Sequence, residues 1–298
     1  MPLVSVIIPA YNAQSFIGEC VSSITSQAFS DWELIIINDG SKDETGSLCD
    51  EMSEKEKRIK VIHTSNHGVS HARNVGIQNA EGTYVAFVDA DDYVGDNFFS
   101  PLIGAKEDLI VLQSKVFGKN GVIKSNDGIP VSGYENPEEK KIWLETYLHN
   151  QIMRVPWGKF FKRECIDRIR FNEGQPIGED TLFVLDFIFH CKSLKVVCDV
   201  YYFWRVSEYS GRYRISVSEA ISYLKKSWDA YQKLEIKNEA TERDLFLEFY
   251  IRSAEDRKIH PRQWYSDTQV QKIRSVVEKS MRLRDRFSYK IKHILSLL

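Results

Sequence analysis

The 298-residue chain lacks an excess of either charge: 40 Lys and Arg stand against 42 Asp and Glu, a formal net charge of −2. A near-neutral protein has no general attraction for nucleic acid, so nucleic acid is not an expected partner. The five cysteines (Cys20, Cys49, Cys165, Cys191 and Cys198) are odd in number and never form C-x-x-C. That argues against a disulfide framework or a zinc ribbon and for reduced, buried thiols. The opening MPLVSVIIPAYN has no positively charged lead-in, and no apolar run reaches the ~18 residues of a membrane span. A cytoplasmic chain is expected. Also missing are a G-x-G-x-x-G turn after the first apolar run, a Walker A sequence and a G-x-S-x-G elbow. Their absence counts against a dinucleotide oxidoreductase, a P-loop NTPase and a serine hydrolase.

What is present is enough apolar residue, 43%, to bury a core for one large domain or one domain with an appendage. Residues 3–9 form a β-branched run, and Phe16, Ile17, Cys20, Val21 and Ile24 then recur at helical spacing. WELIIIN (32–38) predicts a second strand, 43–55 a charged helix, 59–63 a third strand, 69–80 a helix and YVAFV (84–88) a fourth strand. Fully apolar strands alternating with helices predict an α/β fold, a mostly parallel sheet covered by helices on both faces. Ligands in such sheets sit beyond the carboxyl ends of the strands. Asn38-Asp39-Gly40-Ser41 and Asp89-Ala90-Asp91-Asp92 should therefore share one rim. Further on, the pattern predicts a strand at 108–117, a turn at 119–121 with a short returning strand, a Pro/Glu-rich break at 135–140 before a helix to about 148, a helix at 180–191, strands at 194–198 and 201–204, and only helices after 216.

In extended chain, Asp89 and Asp91 project to one side while Ala90 points away. Two converging carboxylates suit Mg²⁺ or Mn²⁺, which take a few carboxylate oxygens together with diphosphate oxygens and water. A solvated loop with a helix N-cap at Asp91 or Asp92 is the plainer alternative. Asp39 likewise reads equally as turn chemistry, and Arg73 as an exposed helix arginine near the same rim. Asp180 opens an apolar helix and reads either as an N-cap or as a general base whose pKa is set by burial and by neighbouring Glu179.

Six blocks, SVIIPAYN (5–12), LIIINDGSKDET (34–45), GVSHARNVGI (68–77), GTYVAFVDADD (82–92), WGKFFKRE (157–164) and GEDTLF (178–183), resemble glycosyltransferase family 2, inverting enzymes of the GT-A fold. The resemblance covers residues 3 to about 204. It implies a nucleotide-sugar-binding half (1–100), an acceptor-binding half (101–215) and a helical C-terminal region (216–298) outside it. It also implies that Pro9, Ala10 and Tyr11 flank the base and ribose of the donor and Asp39 contacts the base. Arg73 would lie beside the nucleotide, Asp89 on the ribose and diphosphate side, Asp91 as ligand to Mn²⁺ or Mg²⁺, and Asp180 as catalytic base. The implied activity is transfer of a sugar from a nucleoside-diphosphate sugar, most commonly a UDP-sugar, to a hydroxyl of a saccharide or lipid-linked acceptor. The competing reading is a nucleotide-sugar-binding scaffold subunit without turnover. A nucleotidyltransferase would need a Gly-rich, Arg-containing loop where PAYNAQSF stands.

Two features depart from the family pattern. Gly158 stands where Asn is common before Lys159, and the Tyr-Arg and Gly-Ser-Ile lid is replaced by Trp204-Arg205 with Arg212 and Arg214 beyond. Arg205 is the favoured diphosphate contact. The front of the chain is acidic and the tail basic, with eight basic and two acidic residues over 272–298. Apolar residues there recur at helical spacing, which suits peripheral contact with the inner face of an anionic membrane. Packing on the chain's own domain or on a partner in a homodimer is the alternative.

Overall fold

β-Branched and aliphatic residues that alternate with amphipathic helices build the front of the molecule. In the computed structural model, which describes residues 1–118, 121–126, 129–206, 216–237, 241–242, 267–268, 270–273 and 275, β1 (Val4–Ala10), β2 (Trp32–Asp39), β3 (Ile59–Thr64) and β4 (Tyr84–Phe87) are parallel neighbours in the order β3-β2-β1-β4. Helices α1 (Ile17–Thr25), α2 (Thr45–Lys55) and α3 (Val69–Asn79) connect them. Val4, Val6, Ile7 and Ile8 of β1 and Leu34 to Ile37 of β2 have no exposed surface, as expected of strands covered on both faces. Chain order reverses between β1 and β4. The crevice beyond their carboxyl ends is where a parallel sheet receives a ligand, and Pro9-Ala10-Tyr11 and Asp89-Ala90-Asp91 border it.

The same sheet continues through the second half. It contains β5 (Tyr93–Val94), β6 (Leu109–Gly118), β7 (Gly121–Asn126), β8 (Ser132–Tyr134), β9 (Lys159–Lys162) and β10 (Leu194–Arg205), with helices α4 (Pro137–Tyr147), α5 (Arg163–Ile166), α6 (Glu179–His190) and α7 (Val217–Gln232). The main path runs β3-β2-β1-β4-β9-β6-β10-β5. β9 is antiparallel to β4 and β6, whereas β10 is parallel to β6. The sheet is therefore mixed but mostly parallel, and β9, antiparallel beside β4, brings Trp157 next to Phe87 at the carboxyl end of that strand, on the crevice side.

Two sequence expectations need correction. The Pro/Glu-rich stretch 135–140 is not a break: Asn136 caps α4 by accepting the Glu139 amide, and Pro137 sits in the first turn, where its missing N–H has no partner to lose. The strands expected at 194–198 and 201–204 are one strand, β10. Asp199 at φ +62° and a register shift between Val196 and Tyr201 form its bulge.

α3 lies directly on β1 at Gly76, where a Cβ would stand 2.3 Å from Ile7 Cγ2. Overpacking there should cost about 1–3 kcal/mol, against about 1 kcal/mol at most returned by alanine's helix preference. Gly76→Ala is thus expected to lower the urea midpoint of unfolding. An unchanged midpoint would mean that α3 can lift off the sheet freely.

Candidate active site

The front rim is built from two loops tied together. Asn12 N donates to Ser41 Oγ, Ala13 N to Thr45 Oγ1 and Gln14 N to Asp43 Oδ2, while Lys42 N and Glu44 N return to the side chains of Asn12 and Gln14. Asn12 adopts φ +50° to make the turn, a conformation that asparagine tolerates. Ala10 is buried beneath this edge, and Tyr11 is 46% exposed above it, so the tyrosine ring is available to a ligand while the alanine shapes the floor. Asp39 is buried. Its carboxylate accepts Thr64 Oγ1 at 3.1 Å, the His67 amide at 3.0 Å and the Gly68 amide at 2.8 Å. It thereby fixes the entry into α3, more than turn chemistry alone required.

At the centre of the crevice, Arg73 of α3 joins two segments far apart in the chain. Its Nη1 donates to Asp180 Oδ1 at 2.6 Å and its Nη2 to Asp89 Oδ1 at 2.9 Å. The Arg73 side chain is 3% exposed, against 28% for Asp89 and 27% for Asp180. The carboxylates therefore face the opening and the guanidinium lies behind them, so its influence on a ligand passes through the two aspartates. Burial opposes the Arg73 charge, but Asp180 and Asp89 outweigh it and raise its pKa. Burial pushes the Asp180 carboxyl up, the Arg73 guanidinium pulls it back, and Glu179 and Asp89 push it up again, leaving it at about 7. Asp180 is not the cap of α6. Gly178, at φ +72°, holds that position, and Asp180 stands inside the first turn. A carboxylate balanced near neutrality and open to a cleft is suited to accept a proton.

Beyond Asp89 the backbone turns back on itself, the Asp92 amide donating to Asp89 O. Asp92 is 1% exposed, and a helix N-cap at Asp91 or Asp92 is the plainer alternative in sequence. No helix begins there. Instead Asp92 accepts Tyr202 Oη at 2.6 Å and the Arg205 amide at 2.7 Å, and Tyr202 Oη also accepts the Asp89 amide. Asp91 is left partly open. Burial and then Asp89 raise the pKa of Asp91, and burial followed by Asp89 and Asp91 raises that of Asp92. These carboxylates are crowded with too little positive charge among them, a donor set of hard oxygens that suits Mg²⁺ or Mn²⁺.

Arg205 reaches the same cluster from β10. Its Nε donates to the Asp91 carbonyl at 2.8 Å and its Nη2 to Glu19 at 2.5 Å, and its guanidinium lies 5.3 Å from the centre of the Phe16 ring. It is thus braced beside the carboxylates. Arg212, Arg214 and most of the basic tail lie outside the described residues. No helix among the described residues is long and apolar enough to cross a membrane.

Lys159 went unassigned in sequence. It is fully buried, and its Nζ donates to the carbonyls of Ile152, Val155 and Trp157. Burial lowers its pKa to about 7. It gathers the loop before β9, and that loop in turn receives Thr181 Oγ1 of α6 at the Arg154 carbonyl. Gly158 adopts φ +67°. Glycine and asparagine are the residues that take this conformation most readily, so the departure from the family pattern preserves the backbone. Another metal-capable group, Asp108, Glu164 and Cys165, is compensated by Lys162, 2.9 Å from Glu164 and 3.7 Å from Asp108.

The chain is similar in sequence and fold to known glycosyltransferases. The family model described as glycosyl transferase family 2 matches residues 5–169. EpsJ of Bacillus subtilis, described as an uncharacterized glycosyltransferase, is 33% identical over 217 residues, covering 69% of this chain and 61% of the relative. GgaB of the same organism, a minor teichoic acid biosynthesis protein, is 28% identical over 265 residues, covering 83% of this chain and 28% of its own. The chain thus spans less than two thirds of the length of either relative. Staphylococcus aureus TarS, solved with UDP-GlcNAc, superimposes with a TM-score of 0.66 at 23% identity over 85% of this chain and 72% of TarS, which establishes the GT-A-like fold. With more than half of its length matched by the family model and the crevice formed as that fold requires, the chain belongs to glycosyltransferase family 2.

Proposed function

We propose that the protein is an inverting, metal-dependent glycosyltransferase that moves a sugar from a UDP-sugar to an acceptor hydroxyl in the synthesis of a polysaccharide or another glycopolymer. The observation that carries this reading is the Asp89–Arg73–Asp180 bridge, which sets a half-open, near-neutral carboxyl beside the metal-capable carboxylates. Asp180 takes the proton of the acceptor hydroxyl, whose oxygen forms a bond to the anomeric carbon from the face opposite the diphosphate. The bond from that carbon to the diphosphate oxygen breaks, and its electron pair leaves with UDP. Asp91, with Asp89 beside it, would hold Mn²⁺ or Mg²⁺, which when bound neutralises charge developing on the diphosphate. Pro9, Ala10 and Tyr11 border the base and ribose. Asp39 serves the base side from the loop that it fixes, and Arg205 supports the diphosphate side through the Asp91 backbone.

The uridine assignment draws on the fold shared with TarS, and the acceptor class on the relationship to GgaB. A thermal-shift panel of UDP-, GDP- and dTDP-sugars with Mn²⁺ should show selective stabilisation by one nucleotide, since a ligand that binds only the native state raises its stability by mass action. Transfer measured with the preferred donor should disappear on addition of EDTA and return with Mn²⁺ or Mg²⁺. Activity indifferent to EDTA would remove the metal from the proposal. Nucleotide binding without turnover against a panel of saccharide and lipid-linked acceptors would identify a scaffold subunit instead.

A further inference from the structure

The helix α7 lies beyond the stretch matched by the family model, yet it packs on the turn that presents the catalytic base. Gly178 takes φ +72°, and a Cβ added to it would lie 1.8 Å from Tyr223 Cε2 and 2.2 Å from Cδ2. Tyr223 is 1% exposed, and its neighbour Leu224 is fully buried. One turn on, Lys226 Nζ donates to Gln175 Oε1 at 2.7 Å, and Gln175 Nε2 donates to the Ile177 carbonyl at 2.9 Å. The Gly178 carbonyl accepts the Leu182 amide at 3.0 Å, which opens the helix that carries Asp180. The segment 175–178 is therefore braced by α7 through both a ring contact and a hydrogen-bond relay. α7 carries its own start signal: Ser216 and Glu219 form a reciprocal capping box. This anchors the helix independently of the turn that it supports.

We infer that Tyr223 is a positioning residue for sugar transfer, its ring holding Gly178 in the left-handed turn that aims Asp180 at the acceptor hydroxyl. This inference rests on the assignment of Asp180 as the base. The contact of Tyr223 described here is with Gly178, ahead of the base, and not with β1, β2 or the Asp89 loop, so its effect is expected on the catalytic step. A misplacement of about 1 Å can cost up to about 10²-fold in rate.

In the full chain, Tyr223→Ala is expected to lower kcat for transfer about 10- to 100-fold, leave the Kd for UDP with Mn²⁺ within about twofold and speed hydrogen exchange of the Leu182 amide, which bonds the Gly178 carbonyl, without changing that of the β1 and β2 amides. Gly178→Ala should reproduce the alanine phenotype from the other side of the contact. Unchanged kcat in folded Tyr223→Ala, or equal losses in kcat, UDP binding and β1 protection, would overturn the positioning role. Where the variants do not fold, the wild type alone decides. The Leu182 amide should be as protected as the interior amides of α7, and free exchange at Leu182 beside a protected α7 would refute the brace. Should no donor be transferred by the wild type, the base assignment fails, while the exchange measurements still judge whether α7 holds the turn.

Discussion

Asp180→Asn is expected to abolish most sugar transfer, lowering kcat by about 10²–10⁴-fold, the range associated with a lost general base. UDP affinity should be nearly retained, because the proposed nucleotide contacts come from β1, β2 and the Asp89 loop. The amide keeps the shape and an acceptor oxygen for Arg73 but cannot take a proton. For the wild type, kcat/KM should rise with pH and level off above about 7, the value to which burial raises Asp180, because the ionised form is the reactive one. The stability consequence has the opposite sense. A carboxyl whose pKa is raised on folding contributes stability that is fully present below its unfolded value of about 3.9 and is lost as pH rises through the folded one. The stability of the wild type relative to Asp180→Asn should therefore decline between about pH 4 and pH 7. Chemical denaturation of both proteins across that range measures it, and parallel curves would show that Asp180 does not titrate there.

Asp91→Ala should be the second large loss, about 10²–10³-fold in kcat, by analogy with removal of one group that stabilises developing charge. Unlike the change at Asp180, it should also raise the Mn²⁺ concentration needed for half-maximal rate. Its stability effect should be small or favourable, since burial and Asp89 already disfavour the charged carboxylate. Asp92→Ala should behave differently: it removes the acceptor that holds Tyr202 and the Arg205 amide, so stability falls along with activity. Rates titrated against Mn²⁺, together with melting temperatures, separate the two aspartates. Wild-type Mn²⁺ dependence in Asp91→Ala would transfer the ligand role to another carboxylate.

Much of this site is legible in sequence because its first tier follows from local patterns. Apolar runs at 3–9, 32–38 and 84–88 set the parallel strands, and the switch-point rule then places Asp39, Asp89 and Asp91 at one edge. The competing local readings of Asp180 and Asp92 as helix caps are not separable by spacing. What separates them is pairing over more than a hundred residues, Arg73 to Asp180 and Tyr202 to Asp92, which depends on where β10 and α6 are brought by the whole sheet. Arg73 shows the same limit. Helical periodicity gives its position in the chain but not its burial, which comes from Asp89 and Asp180 closing over it. Lys159 falls in the WGKFFKRE block, but its role leaves no signal in the spacing, because its partners are backbone carbonyls and every residue supplies one. Pro137 misleads by composition: proline interrupts a helix but also begins one, and only the Asn136 cap shows which applies here.

The reciprocal ties between residues 12–14 and 41–45 make the mouth of the crevice a single exchangeable part. A chimera that imports only one of these segments, with other side chains at Asn12, Gln14, Ser41, Asp43 or Thr45, leaves amides unmatched on the other. Attempts to redirect nucleotide preference should move both segments together, as a pair inherited from the same parent.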